Sequence, residues 1–533
     1  MKRRDFLQKS LPAATLLPAL INGYSVNAFA ADSPLVQALM RGTTDTDHVL
    51  VIIQLSGGND GLNMVIPIST YSSYYNARTN IAIPQNRILA LGSSGTGIHP
   101  SMTGMHNIFN AGNMKVLQAV GYPQPNFSHF RATDIWMSAS NSNQEVFTGW
   151  AGRYLNYENP NFPIGYPSTN APDPLAIQIG STTTLTTQGP AVNMAMSITN
   201  PNSFYNLLNG TTDPVPDTPA GKELKYIRLV SQQTQKYSTV IRAAANSVTQ
   251  QVTYPTNNSL GDQLKIVARL IKGGLKTRIY MVSTGGYDTH SVQANADTTT
   301  GAHATLLQRL SDATKAFQDD LQFLGVQDRV IGMTYSEFGR RIKSNSSVGT
   351  DHGAAAPMFL FGTKIEQGVL GDNPTIPTVA SVNDNVPMQY DFRSIYATIL
   401  EKWFCLDKTV VSGLFPPGVN SQLQTLPLFK AGIACSGAPT TQTNSLGIDG
   451  IITNDPNPFT NSTKISFRTS GGHTLIQIID TMGRLIKTVL EKDYPAAGTF
   501  TVDFNTEGLA NGIYYARFQN GVVQKVRPML KVR

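Results

Sequence analysis

The sequence predicts an α/β fold with a mainly parallel sheet flanked by helices, followed by a small C-terminal β-sandwich. Three observations carry this reading. Four continuous apolar runs of the buried-strand type each close on polar, Gly-containing sequence, and stretches of helical periodicity separate them. From about Ser445 the texture then changes to short alternating runs punctuated by Gly, Asn and Pro.

The chain has 533 residues, of which 41% are hydrophobic and 14% charged. That length suits one large domain with an appendage, and 22 Phe and 20 Tyr supply a core that excludes a disordered chain. Residues 1–30 open with Lys2, Arg3 and Arg4 ahead of Phe6 and Leu7, run through an apolar stretch from Leu11 to Ile21 and close on Ala28-Phe29-Ala30. This is the pattern of a cleavable export signal, and the apolar run is too short for a permanent membrane anchor. No later run is long enough to span a bilayer, so the mature chain is expected to lack a transmembrane anchor. The leader carries a net +3 of the total +7, and the remaining +4 forms no basic run interleaved with aromatics. Nucleic acid is therefore not an expected partner. Two cysteines, Cys405 and Cys435, exclude a disulfide scaffold and a four-cysteine zinc site, although an oxidising compartment would permit them to pair.

The four apolar runs are Val49–Leu55, Met114–Val120, Arg278–Ser283 and Arg329–Tyr335. Leu306, Leu307, Leu310, Ala313, Phe317 and Leu321 mark a helix over 304–324. In parallel sheets reactive groups gather beyond the carboxyl ends of the strands. Those ends and the neighbouring turns carry Asp60, Asp288, His290, Glu337, Asp351 and His352. Oxygen and nitrogen donors of this kind suit zinc, manganese, magnesium or calcium, and a bound dication neutralises carboxylates that would otherwise repel one another. Asp60 in Gly-Gly-Asn-Asp-Gly also fits a simple turn aspartate. Ser128, at the apparent start of a helix, fits either an N-cap or a nucleophile activated by a nearby metal, and Arg131 is the candidate contact for an anionic oxygen.

Five stretches, Leu55-Ser-Gly-Gly-Asn-Asp60-Gly, Ser128-His-Phe-Arg-Ala-x-Asp134-Ile-Trp136, Gly286-Tyr-Asp-Thr-His290, Ser336-Glu-Phe-Gly-Arg340 and Gly349-Thr-Asp-His-Gly353, together resemble domain of unknown function family 1501. That family is placed with the alkaline phosphatase and sulfatase superfamily. The resemblance implies a two-metal site for phosphate or sulfate ester cleavage, and the expected cofactor is one or two divalent metal ions. Asp60 would be the first-strand ligand, Ser128 the nucleophile, Asp288 and His290 ligands to one metal, and Glu337, Asp351 and His352 candidates for another. The chain departs from the superfamily in lacking a late histidine, for which His303 is a substitute candidate. Ser128 also lacks the Cys-x-Pro-x-Arg surroundings of a formylglycine sulfatase.

Arg3-Arg4-x-Phe6-Leu7 resembles a twin-arginine signal. Asp455-Pro456-Asn457-Pro458-Phe459, Ile479-Asp480-x-x-Gly483, Leu509-Ala510-x-Gly512-Ile513-Tyr514 and Lys531-Val532-Arg533 resemble the type A sorting domain of the type IX secretion system. The expected organisation is a signal peptide over 1–30, an alkaline phosphatase-like domain over 31–430, a linker over 431–446 and a sorting sandwich over 447–533. The chain would leave through the inner membrane and reach the cell surface or the medium by the type IX machinery. The function expected from these features is metal-dependent hydrolysis of phosphate or sulfate esters, with a small anionic ester or glycan as the substrate partner and Ser128 or a water activated at the metal as nucleophile. The alternative is a non-catalytic surface or secreted protein that binds a glycan or envelope component on the same fold.

Overall fold

A computed structural model describes residues 46–201, 236–433 and 450–531 apart from short gaps, together with the strand pair Ala19–Ile21 and Tyr24–Val26. The gaps are 160–161, 164–165, 169–170, 191, 417, 420–422, 458, 470, 481–484, 497 and 521–522. Most of the expected leader and linker lies outside the described residues.

The large domain is organised by a nine-stranded sheet. Its strands are β1 (Val49–Leu55), β2 (Met114–Gly121), β3 (Ala176–Ile179), β4 (Ala195–Ile198), β5 (Ile279–Thr284), β6 (Val330–Ser336), β7 (Ala356–Phe361), β8 (Gly368–Leu370) and β9 (Tyr390–Asp391). They lie in the order β8-β2-β7-β6-β1-β5-β3-β4, with β9 also paired to β2. Every pairing is parallel except those of β7 with β6 and β2. The four apolar runs correspond to β1, β2, β5 and β6, and the mainly parallel sheet is as the sequence predicts. The antiparallel β7 was not foreseen. It follows β6 through a loop with no helix, and a return without a helical crossover reverses strand direction.

Helices cover both faces. The side chains of Val49, Val51, Ile53 and Leu55 in β1 pack with α1 (Thr103–Asn110), α4 (Ser259–Lys272) and α5 (Ala302–Phe323). Leu50 and Ile52 face the other way, toward α2 (His129–Ser138), α3 (Trp150–Glu158) and α6 (Phe392–Thr398). Alternation along one strand thus feeds two cores, which is why β1 reads as unbroken apolar sequence. Each such side chain contributes about 1.5–3 kcal/mol on burial. α4 starts where Asn258 accepts a hydrogen bond from the amide of Gly261, and it ends with Arg269 and Lys272 against its negative pole. α5 agrees with the predicted helix to within two residues at its start and one at its end.

Cys405 is disulfide-bonded, and Cys435 lies outside the described residues.

The named strands of the C-terminal module all pair antiparallel. One sheet contains β10 (Gly450–Asp455), β11 (Ser462–Thr469) and β14 (Gly498–Asn505); the other contains β12 (Gly472–Asp480), β13 (Leu485–Tyr494), β15 (Gly512–Asn520) and β16 (Val523–Lys531). β11 to β16 correspond to the alternating runs of the sequence at 463–467, 474–479, 485–490, 500–504, 513–518 and 522–526, whereas no such run marks β10. Phe459, Phe467, Ile476, Ile478, Phe504 and Phe518 form a shared apolar core. Among the described residues, no helix is long and apolar enough to cross a membrane.

Candidate metal centre

Strand register explains why distant residues meet. Leu55, at the end of β1, lies opposite both Thr284 of β5 and Ser336 of β6. The turns carrying Asn59, Asp288 and Glu337 therefore leave the sheet side by side. β7 enters at the same rim, with Ala356 opposite Val120 near the end of β2. This brings the loop before β7, with Asp351 and His352, toward the segment that starts α2 at His129. Gly57 makes the close approach possible. Its φ is +124°, and a Cβ there would stand 2.4 Å from the amide nitrogen of Asp288.

Three imidazoles surround the carboxylate of Asp288. His129 Nε2 lies 3.5 Å from Asp288 Oδ2, His290 Nε2 3.2 Å from Oδ1 and His352 Nε2 3.3 Å from Oδ1. The two nitrogens His290 Nε2 and His352 Nε2 are themselves 2.9 Å apart. One donor atom from each of His129, Asp288 and His352 falls within 4.8 Å of the others.

The far side of every ring is anchored. Nδ1 of His129 contacts Glu337 Oε1 at 2.7 Å, Nδ1 of His290 contacts Asp351 Oδ1 at 3.1 Å, and Nδ1 of His352 contacts the carbonyl of Phe127 at 2.8 Å. An acceptor at Nδ1 fixes the proton there, so each neutral ring presents an Nε2 lone pair to the centre. Glu337 is buried and held in turn by the amide of Gly57 at 2.8 Å and the hydroxyl of Ser336 at 3.2 Å. Asn345 Nδ2 holds Asp351 at 3.1 Å.

Arg340, fully buried, donates to Asp288 Oδ1 at 2.6 Å, and its remaining donors reach carbonyls of Gly57, Gly58 and Thr350. Partial burial disfavours the ionised form of Asp288, but the hydrogen bond and charge of Arg340 outweigh it and hold the carboxyl at about 2. Burial lowers the pKa of His352, and the nearby charge of Arg340 adds to this against the opposing hydrogen bonds to Phe127 and Asp288.

The predicted residues divide into three groups. Asp288, His290 and His352 meet with donor atoms facing one another. Glu337 and Asp351 belong to the same cluster but stand behind imidazoles, where they contact Nδ1. Asp60, Ser128 and Arg131 are placed differently. Asp60 is completely buried; Arg78 Nη1 contacts its two oxygens at 2.8 and 2.7 Å, and Gln293 Nε2 donates to Oδ2 at 2.6 Å. Ser128 is the exposed N-cap residue of α2, and its side chain makes no capping hydrogen bond. Arg131 Nη2 donates to carbonyls of Asn141, Ser142 and Gln144. His303 is buried against Asn59 Oδ1 at 2.9 Å. His129 is absent from the residues expected at the strand ends. The strand-end rule applied to Ser128-His129-Phe130 would have found it, because it follows β2 as the others follow β5 and β6.

Fold and rim define a mainly parallel α/β protein with a histidine–aspartate cluster at the carboxyl edge of its sheet, carrying an antiparallel C-terminal module. Residues 210–414 match the family described as Protein of unknown function (DUF1501), and residues 456–531 match the Secretion system C-terminal sorting domain. The sorting domain marks the chain for the cell surface or extracellular space by way of the type IX machinery. No curated protein matches the sequence.

Similar solved structures include a Bacteroides thetaiotaomicron protein of glycosaminoglycan metabolism, at 10% identity and a TM-score of 0.33, over 84% of this chain and 89% of that one. A Vibrio parahaemolyticus protein in the alkaline phosphatase superfamily is 9% identical with a TM-score of 0.31, over 80% and 76% respectively. The PsFucS1 sulfatase from Pseudoalteromonas sp. is 10% identical with a TM-score of 0.29, over 88% and 85%. Similarity at this level fixes neither activity nor substrate.

Proposed function

We propose that the large domain is an exported metal-dependent hydrolase of small phosphate or sulfate esters, with one divalent cation held by His129, Asp288, His290 and His352. The convergence of three Nε2 atoms on one carboxylate supports the reading. Two lone pairs 2.9 Å apart repel unless a proton or a metal cation lies between them. His129 Nε2 is buried and has no hydrogen-bond partner, an orphaned atom that a cation would satisfy. Three imidazoles and a carboxylate suit zinc, with manganese as a further candidate. The commitment of both Asp60 oxygens to Arg78 and Gln293 supports one cation rather than two.

When bound, a cation there supplies positive charge to polarise an ester oxygen and lower the pKa of an attacking group. The residues of the chain do the rest. Arg340 keeps Asp288 ionised, Glu337 and Asp351 hold protons on the Nδ1 atoms of His129 and His290, and the exposed hydroxyl of Ser128, beside His129, is the candidate nucleophile. Arg131 drops out of this assignment because its guanidinium is turned to the 141–144 carbonyls.

That same orientation favours a second reading, a non-catalytic protein that binds a glycan or envelope component. The donors of Arg340 are also committed, so neither arginine is turned to a transferring anion. Export through the inner membrane by the Arg3-Arg4 leader belongs to either reading, and R3K/R4K should block it.

Metal analysis of folded protein, followed by assay on aryl phosphate and aryl sulfate, separates the two. Hydrolysis requires about one metal per chain, loss of metal and turnover in D288N, and loss of turnover with metal retained in S128A. Wild-type protein that takes up no metal and turns over neither ester overturns the hydrolase.

A further inference from the structure

A buried polar relay lies beneath the centre and takes no part in the chemistry proposed for it. Arg78 Nη1 grips both oxygens of Asp60, while Arg78 Nε and Nη2 donate to the carbonyls of Ile342 and Arg341 at 2.8 and 2.7 Å. Asp60 accepts the amide of Gln293 at 2.6 Å. The amide oxygen of Gln293 then accepts two hydroxyls, Thr289 Oγ1 and Thr350 Oγ1, each at 2.9 Å. Thr289 lies between Asp288 and His290, and Thr350 immediately precedes Asp351 and His352.

We infer that Gln293 is a positioning residue: its amide, oriented by Asp60, sets the spacing between the loop carrying Asp288 and His290 and the loop carrying Asp351 and His352. The inference rests on the single-cation reading of those loops. The amide has one workable orientation. Nε2 must face the carboxylate and Oε1 the hydroxyls, since a flipped amide would set oxygen against oxygen. Asp60 cannot turn away, because Arg78 holds both its oxygens. Gln293 is 1% exposed, and Asp60, Arg78 and Thr350 are 0% exposed, so water does not compete for these bonds.

The backbone around Gln293 shows what the relay restrains. Val292 and Val348 sit at φ +49° and +56°, a conformation costly for a β-branched residue. The two loops cross at these points, with Val292 N bonded to Ser347 O at 2.9 Å and Gln293 N to Val348 O at 2.8 Å. Thr350 N also reaches Thr289 O at 3.2 Å. Strained backbone persists where its surroundings over-determine it, and Gln293 is the buried side chain joined to both strands of this crossing.

The test uses the full chain, with zinc affinity by competition titration and amide hydrogen exchange of the metal-free protein over 286–293 and 345–353. Q293A and T350V should lower zinc affinity about 10–100-fold, the range for residues that orient ligands. Both should raise exchange in the two loops together, while T350S keeps both properties. Q293E should be worse than Q293A, and D60N/Q293E should recover part of the loss by restoring a donor opposite a carboxylate. If Q293A does not fold, T350V with T350S decides. Unchanged exchange and affinity in the folded variants overturn the relay. Zinc-free wild type with exchange still raised in the variants sinks the metal reading and leaves the positioning role supported.

Discussion

Glu337 Oε1 lies 2.7 Å from Nδ1 of His129, joining the end of β6 to the start of α2 across 208 positions of sequence. The bond fixes the imidazole tautomer and turns the opposite nitrogen toward Asp288. Glu337 therefore acts on the centre through His129.

This division of labour gives a graded set of affinities. Replacing Glu337 by Ala should weaken zinc binding about 10–100-fold, with a smaller loss for Gln, which retains an acceptor. H129A or H352A, which remove a donor atom, should each weaken binding more than E337A. Competition titration against a chelator of known affinity measures all four, and equal affinity in E337A and wild type would remove Glu337 from the assignment.

The buried Asp60–Arg78 pair should matter to stability out of proportion to its size. R78A leaves an uncompensated carboxylate in the core and should cost about 3–5 kcal/mol in urea unfolding. R78M combined with D60L, which removes both charges, should recover much of that loss. Full stability in R78A alone would contradict the geometry.

Two buried histidines set an acid limit. Burial lowers His303 to about 4 and His99 to about 3, and the positive charge each would place on the other adds to the lowering at His99. The unfolded chain binds protons at these rings from about pH 6.5 downward, whereas the folded chain resists. Their contribution to stability is therefore complete above that pH and is lost as pH falls toward 4. For His303 the full loss is about 3 kcal/mol. Urea unfolding at pH 7.5 and 4.5 should show the drop, and H303Q should flatten it.

Gly58 should tolerate no side chain. Its φ is +66°, and a Cβ would lie 2.1 Å from the ring of Phe338. That ring packs on both His129 and His352, with centroids 4.8 and 4.6 Å away. G58A should destabilise the fold by about 1–3 kcal/mol and reduce metal affinity as well. Thermal unfolding with and without zinc reads the two effects separately.

The sheet was legible because β1, β2, β5 and β6 are apolar on both faces, a property visible in one dimension. The rim was legible for a related reason: parallel strands deliver their following turns to one edge, so Asp288, His290, Glu337, Asp351 and His352 could be grouped without coordinates. What composition could not supply was which atom faces which. Glu337 and Asp351 carry the same carboxylate as Asp288, yet they bond the backs of imidazoles. Asp60 sits on the right turn, but Arg78, a residue with no motif around it, takes its oxygens. Arg131 follows Ser128 on α2 and still points to a neighbouring loop. β7 was missed because strand direction depends on the return path of the preceding loop, which no local pattern records.

The parallel register of β1 with β5 and β6 also bears on when the proposed cation could bind. Contributors from positions 129 to 352 become neighbours only after strands from both halves of the large domain have zipped together. An unfolded polypeptide would keep these side chains apart and offer no such pocket. On the single-cation reading, loading would belong to whichever compartment sees the sheet close, and the identity of a bound ion would report where folding finished.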